Sequence, residues 1–199
     1  MLLEESMKTL IILAHPCENS FNAAISLKAK DHMESNKEYE VKIRDLYKLS
    51  FNPILTEDNH TAFFQDKLSE DIQLEQSEIS WADNLIFVFP TWWCGMPAIL
   101  KGYFDRVFTN GFAFRYTNGE VDGLLKGKKA VVFQTTSQTE EFMKPSQLVS
   151  SIETVMDLGI LDYCGINVIN HKFFYSVPHI DNEMRDKMLK EVVSVVDIL

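Results

Sequence analysis

The stretch NLIFVFPTWWCGMP, Asn84–Pro97, sets an apolar run, a loop with two adjacent tryptophans and a proline in immediate succession. Asn84–Phe89 is a continuous apolar run, short enough for a strand buried on both faces, and Pro90 closes it. Pro97 stands where a helix begins, a position at which its missing N–H costs nothing. Beyond it Ile99, Leu100, Tyr103, Phe104, Val107 and Phe108 form a broad apolar stripe at helical spacing. The segment therefore reads as a buried strand, an unusual loop and an amphipathic helix.

The same alternation extends in both directions. Lys8–Ala14 (KTLIILA) is a second continuous apolar run, and Phe21, Ile25 and Ala29 then recur at helical spacing. Tyr39–Asp45 (YEVKIRD) alternates like a strand with one more polar face, as at a sheet edge. A loop, Leu46–Asn59, and a polar helix around Ser69–Ala82 lead back to Asn84. Lys128–Thr135 (KKAVVFQT) is the third buried-strand candidate, followed by a helix over Gln147–Leu161 and a strand within Ile166–Val177. A last helix places Met184, Met188, Val192, Val195 and Leu199 on one face. No repeat, linker or low-complexity tract interrupts the series, so residues 1–199 read as one domain. Met7 stands directly before the first strand, with Met1–Ser6 a short extension.

Strands alternating with helices predict an α/β fold, a parallel sheet covered on both faces. Five such units in 199 residues suit a flavodoxin-like three-layer α/β/α architecture with a five-stranded parallel sheet of order 2-1-3-4-5. In that order ligands bind beyond the carboxyl ends of the strands, where the order reverses. The loops gathered there are His15–Ser20, Pro90–Met96 and Thr135–Thr139.

Composition removes several function classes. A net charge of −10 argues against nucleic-acid binding, which needs clustered Lys and Arg. No apolar run approaches the ~20 residues that span a bilayer, so no stable membrane insertion is expected. Three cysteines, Cys17, Cys94 and Cys164, lie far apart with no C-x-x-C pair and no zinc spacing; a reducing, cytoplasmic setting and no metal follow. Neither G-x-G-x-x-G nor a P-loop motif is present. Cys94 has no partner base evident in the sequence and is not read as a nucleophile.

The loops themselves carry chemistry. Ser20 is an N-cap residue for the first helix, whose free N–H groups suit an anion such as phosphate, and His15 can add a donor. The loop Pro90-Thr91-Trp92-Trp93-Cys94-Gly95 offers aromatic rings suited to a flat heterocycle, with Gly95 allowing close backbone approach. Thr135 and Thr136 bring hydroxyls and amides to the same crevice. Each feature also has a purely structural reading: a helix cap, or tryptophans roofing the sheet end or filling an interface.

The stretches ILAHPCENSFN, DLYKLSFNPIL, FPTWWCGMPAILKGYFDRVF, GFAF and LGILDYCGINV together resemble the NAD(P)H:quinone oxidoreductases of the DT-diaphorase type, including their short bacterial relatives. The resemblance covers nearly the whole chain. It implies a bound flavin, a homodimer with active sites at its interface, and two-electron ping-pong transfer from the co-substrate NAD(P)H to a quinone or other flat acceptor, the flavin rather than a side chain carrying the chemistry. By motif, His15, Phe21 and Asn22 hold the diphosphate side. Thr91, Trp92, Trp93 and Cys94 line the isoalloxazine, with Thr135, Thr136, Ser137 and Gln138 at its other edge. Arg185 matches an arginine at the adenine end of FAD-binding members, which favours FAD over the alternative FMN. Phe114 and Tyr116 match aromatics that reach over the partner's flavin to sandwich nicotinamide or quinone, and Trp93 is expected to contact that substrate as well.

Departures from the family pattern are also legible. Ser137 and Gln138 replace a frequent glycine pair, and Phe142 stands near a tyrosine of the mammalian enzymes. No histidine occurs between His60 and His171, so the Tyr/His proton relay of those enzymes has no evident counterpart. Two other roles stay compatible with such a chain: a flavin-binding accessory subunit of a potassium-efflux system, and an azo- or nitroreductase.

Overall fold

The strand β3 (Asn84–Pro90) is buried at all seven residues and lies between β1 (Met7–Leu13) and β6 (Lys129–Thr135), parallel to both. These are features of a computed structural model that describes residues 6–56 and 68–199. Residues 1–5 of the expected N-terminal extension, and residues 57–59 of the expected loop, lie outside the described residues.

Because side chains alternate across a strand, each apolar run is divided between two cores. Leu10, Ile12, Leu85, Phe87, Phe89, Ala130 and Val132 face one side. Ile11, Leu13, Ile86, Val88, Val131 and Phe133 face the other. A continuous apolar run is thus what a two-sided parallel sheet demands. Each fully buried Ile, Leu or Phe contributes about 1.5–3 kcal/mol.

The sheet is completed at its edges by β2 (Tyr39–Asp45) beside β1 and β7 (Asn167–Phe174) beside β6. The spatial order is β2-β1-β3-β6-β7, all parallel. Counted among the parallel strands alone, this is the expected 2-1-3-4-5. In β2 only Val41 is buried, which matches its edge position; its Arg44 bonds the buried Glu75 carboxylate of α2 (Glu70–Trp81).

Helices α1 (Phe21–Ser35) and α6 (Asn182–Val196) cover one face. Helices α2 and α3 (Ala98–Val107) cover the other. Pro97 is the N-cap of α3 rather than its first helical residue, one position earlier in role than its sequence signal. In α6 the buried residues are Val192 and Val196, while Met184 is exposed, so the core stripe starts later than expected. The helix expected over Gln147–Leu161 is composite. An α-helical turn, α5 (Leu148–Glu153), continues as a π-helix over Thr154–Leu161. Met156 and Leu161, five residues apart, are both buried, a spacing that suits the wider π turn.

One element has no counterpart in the strand series. Phe114–Thr117 (β4) and Glu120–Gly123 (β5) form an antiparallel hairpin outside the main sheet. Asn118 and Gly119 supply its two positive-φ corner residues, as a type I′ turn requires. This leaves α4 (Glu140–Met143) as the short helix after β6.

Gly102 of α3 lies hard against the loop after β2: a Cβ there would sit 2.2 Å from the Pro53 carbonyl oxygen. Arg106, one turn later, donates to the Asn52 carbonyl at 2.7 Å and pairs with Asp71 at 2.9 Å. Gly102→Ala is therefore expected to destabilise the protein by about 1–3 kcal/mol, through displacement of backbone rather than of a flexible side chain. Thermal melting should show a loss of roughly 2–12 °C; an unchanged melting temperature would contradict this packing.

Candidate functional site

Parallel strands deliver their carboxyl ends to one edge, and the loops after β1, β3, β6 and β7 enclose a crevice of about 470 Å³ there. The ladder continues into these loops: Thr91 N–H donates to Thr135 O at 2.6 Å, Thr136 N–H to Phe174 O at 2.9 Å, and Val177 N–H to Thr136 O at 3.0 Å. The walls are thus fixed to the sheet rather than hung from it.

The first wall is the start of α1. Ser20 accepts the Ala23 N–H at 3.1 Å and caps the helix, as its sequence position predicts. The capped turn leaves the Phe21 and Asn22 N–H groups at the positive end of a 15-residue helix without intrahelical partners. Asn22 is buried, and its side chain exchanges hydrogen bonds with Thr135 Oγ1 at 3.0 Å and 3.3 Å. That pair ties α1 to β6, so the Asn22 side chain holds the wall, and its main-chain N–H is what a ligand would meet. His15 accepts the Cys17 N–H on Nδ1 at 3.0 Å, leaving Nε2 as the protonated nitrogen of the neutral ring. Burial lowers its pKa below the ordinary histidine value, outweighing the Cys17 backbone contact and the Asp45 carboxylate. His15 therefore faces the crevice as a neutral donor.

The second wall is the loop after β3. Trp92 and Gly95 bond each other through both main-chain groups, at 2.9 Å and 3.0 Å, and close a two-residue turn over Trp93 and Cys94. Both corner residues have positive φ, 50° and 57°, which is costly for side chains of this size. The turn separates two residues that are adjacent in sequence. Trp92 lines the crevice, 6.4 Å from the His15 ring, whereas Trp93 is 102% exposed and points away from it. Cys94 borders a different, apolar cavity of about 320 Å³ with Met96, Ile152, Val155 and Met156.

Pro90, Thr91, Thr135, Thr136 and Ser137 all line the crevice, as expected. Gln138 does not line it. Its N–H donates to Thr136 Oγ1 at 3.1 Å and its carbonyl accepts from Ser176 at 2.9 Å, so it closes the loop from behind. Arg185 reaches the far end from α6, donates to the Val177 carbonyl at 2.9 Å and holds its guanidinium 5.9 Å from the Phe21 ring centre. Phe114 and Tyr116 stand outside the crevice of their own chain. They pack with Tyr163, whose hydroxyl is 2.8 Å from that of Tyr116.

Cys17 and Asn19, inside the expected His15–Ser20 loop but not singled out there, also line the crevice, and sequence reasoning missed two further lining residues, Val177 and Pro178. The last two follow β7, and its place beside β6 in the predicted order was the available signal. It also passed over Gln134, a polar residue inside the apolar run KKAVVFQT, whose amide bonds Thr91 Oγ1 at 2.8 Å.

Comparison with known proteins agrees with this geometry. Residues 7–196 match the family described as having a flavodoxin-like fold. The chain is 38% identical over 185 residues to an uncharacterized NAD(P)H oxidoreductase of Haemophilus influenzae, covering 92% of this chain and 91% of that one. It is 34% identical over 202 residues to NAD(P)H dehydrogenase [quinone] 1 of Cavia porcellus, covering 92% and 73%. Its structure matches the NAD(P)H:quinone oxidoreductase of Methanothermobacter marburgensis with a TM-score of 0.84 and 27% identity over 96% of each chain. The chain thus belongs to the flavodoxin-like fold family, among relatives named as NAD(P)H oxidoreductase and NAD(P)H dehydrogenase [quinone].

Proposed function

We propose that this protein is a flavin-dependent NAD(P)H:quinone oxidoreductase, with FAD as its cofactor. The observation that carries the reading is the content of one crevice: a helix N-terminus, an aromatic edge and an arginine, in that succession of loops. The Phe21 and Asn22 amides and His15 Nε2–H suit a diphosphate. The Thr91–Trp92 and Thr135–Ser137 segments suit a flat ring with polar edges. Arg185, over Phe21 and beside Pro178, suits an adenine, and this favours FAD over FMN.

A bound flavin supplies hydride acceptance and two-electron donation; the side chains supply position. Thr91 and Thr136 hold their main-chain groups in the extended sheet ladder, so the ring's contacts are fixed before it arrives. Phe114 and Tyr116, outside the crevice of their own chain, suit the mouth of a second chain's site. That role makes the active unit a homodimer, with NAD(P)H and a quinone or another flat acceptor entering in turn. Its three unpaired thiols suit a reducing, cytoplasmic setting.

Purified protein, denatured and its released cofactor resolved by chromatography, should yield about one FAD per chain. A colourless protein that takes up neither FAD nor FMN would overturn the reading. Arg185→Ala should weaken FAD roughly 5-fold or more while changing FMN affinity little; equal losses for both would place Arg185 in the scaffold through its bond to Val177. Steady-state rates with varied NAD(P)H and quinone should give parallel double-reciprocal lines, and intersecting lines would count against one shared pocket. Near-absent turnover with stoichiometric flavin would instead mark an accessory subunit.

A further inference from the structure

Four side chains form one hydrogen-bonded line from the π-helix to the edge of the crevice. The Asp157 carboxylate meets Nδ1 of His171 at 2.9 Å and 3.2 Å. His171 Nε2 lies 3.1 Å from Gln134 Oε1, and Gln134 Nε2 donates to Thr91 Oγ1 at 2.8 Å. The His171 side chain is 3% exposed and stacks on Phe173, with ring centres 4.5 Å apart. Gln134 is fully buried. Thr91 borders the crevice, so the line ends at the proposed ligand site.

Counting protons determines what Thr91 can offer. When the Gln134 amide oxygen faces Nε2, an imidazole that also meets a carboxylate donates through both nitrogens and is an imidazolium. The Gln134 NH₂ then occupies a lone pair of Thr91 Oγ1, and the Thr91 O–H is free to donate into the crevice. In the neutral ring the Asp157 carboxylate keeps the proton on Nδ1, so deprotonation leaves a bare lone pair on Nε2. That lone pair cannot face an amide oxygen. The Gln134 amide must turn over, donating to His171 and presenting its oxygen to Thr91. Thr91 O–H then donates inward, and only its lone pairs face the crevice. Both states satisfy each buried polar atom of the line, whereas mixed states leave one unpaired. The Thr91 main chain is held by Thr135 and need not move.

Among the described residues, no second ionised group hydrogen-bonds within this line. From the helix side the facing group is Asp157, from β6 the neutral Gln134, and from β7 the Phe173 ring. Lys101 pairs with Asp105, Lys144 with Glu140, and Lys172, next to His171 on β7, with Glu191.

We propose that Asp157, His171 and Gln134 are positioning residues that set the polarity of the Thr91 hydroxyl, a donor to the ligand when His171 is protonated and an acceptor when it is neutral. This deepens the flavin reading and rests on it only for the identity of the ligand. A buried cation and an outward donor together favour the more electron-rich form of a bound ring, so reduced flavin gains relative to oxidised flavin as His171 takes up its proton.

Two measurements test the proposal. In protein labelled with ¹⁵N-histidine and ¹⁵N-glutamine and free of ligand, titrated between about pH 5 and 9, His171 Nδ1 should keep its proton while Nε2 loses it. The Gln134 NH₂ signals should shift with the same midpoint. A neutral His171 protonated on Nε2, or Gln134 signals indifferent to the titration, would overturn the switch, and neither depends on flavin or on a variant. With FAD added, the ratio of oxidised to reduced dissociation constants should change about 5-fold more across that titration in the unaltered protein than in Gln134→Leu, the size of one hydrogen bond. Equal changes in the two proteins would overturn the link to the ligand. Absence of FAD uptake by the unaltered protein would overturn the flavin reading, and the spectra would still decide the switch.

Discussion

The pairing of β3 with β1 on one side and β6 on the other is the constraint on which the site depends. Each of these strands is apolar on both faces, so a slip of one residue would still bury hydrophobic groups. What fixes the register is the shape of the two cores, where Phe87 and Phe89 meet α3 and Ile86 and Val88 meet α1 and α6. Once that register is set, Ala14, Thr91 and Thr136 leave the sheet together. Every wall of the crevice is then a continuation of a strand. The alignment of the binding groups is therefore a by-product of core packing and needs little organisation within the loops.

This explains which parts of the fold could be read in advance. Continuous apolar runs signal two-sided burial directly, so β1, β3 and β6 were legible almost to the residue. The edge strand β2 declared itself by its polar alternation. The hairpin β4–β5 was missed although Asn118-Gly119 is a strong local turn signal, because its strands alternate weakly and are mostly exposed. The π-helix was not legible either. Its spacing of five, from Met156 to Leu161, competes with helical spacings of three and four in the same segment.

The site divides along a similar line. Residues that act through local backbone geometry, such as Ser20 at a helix start, follow from their neighbours in sequence. Residues that act through distant partners do not. Asn22 reads as a ligand contact until Thr135 claims its side chain, 113 positions away. His171 and Asp157 carry no motif, and only the pairing of β7 with β6 brings them to Gln134. Trp92 and Trp93 show the limit most plainly. Adjacent in sequence and alike in chemistry, they are sent in different directions by a turn that the sequence does not announce with glycine or asparagine at its corners.

That turn also has a thermodynamic side. The Trp93 indole is held outward by main-chain dihedrals and a closed pair of hydrogen bonds, not by packing around the ring. A side chain presented in this way has already lost much of its backbone freedom when the protein folds. Anything that covers it gains apolar contact without ordering a loop as well, so the entropic cost of association falls on the incoming surface alone.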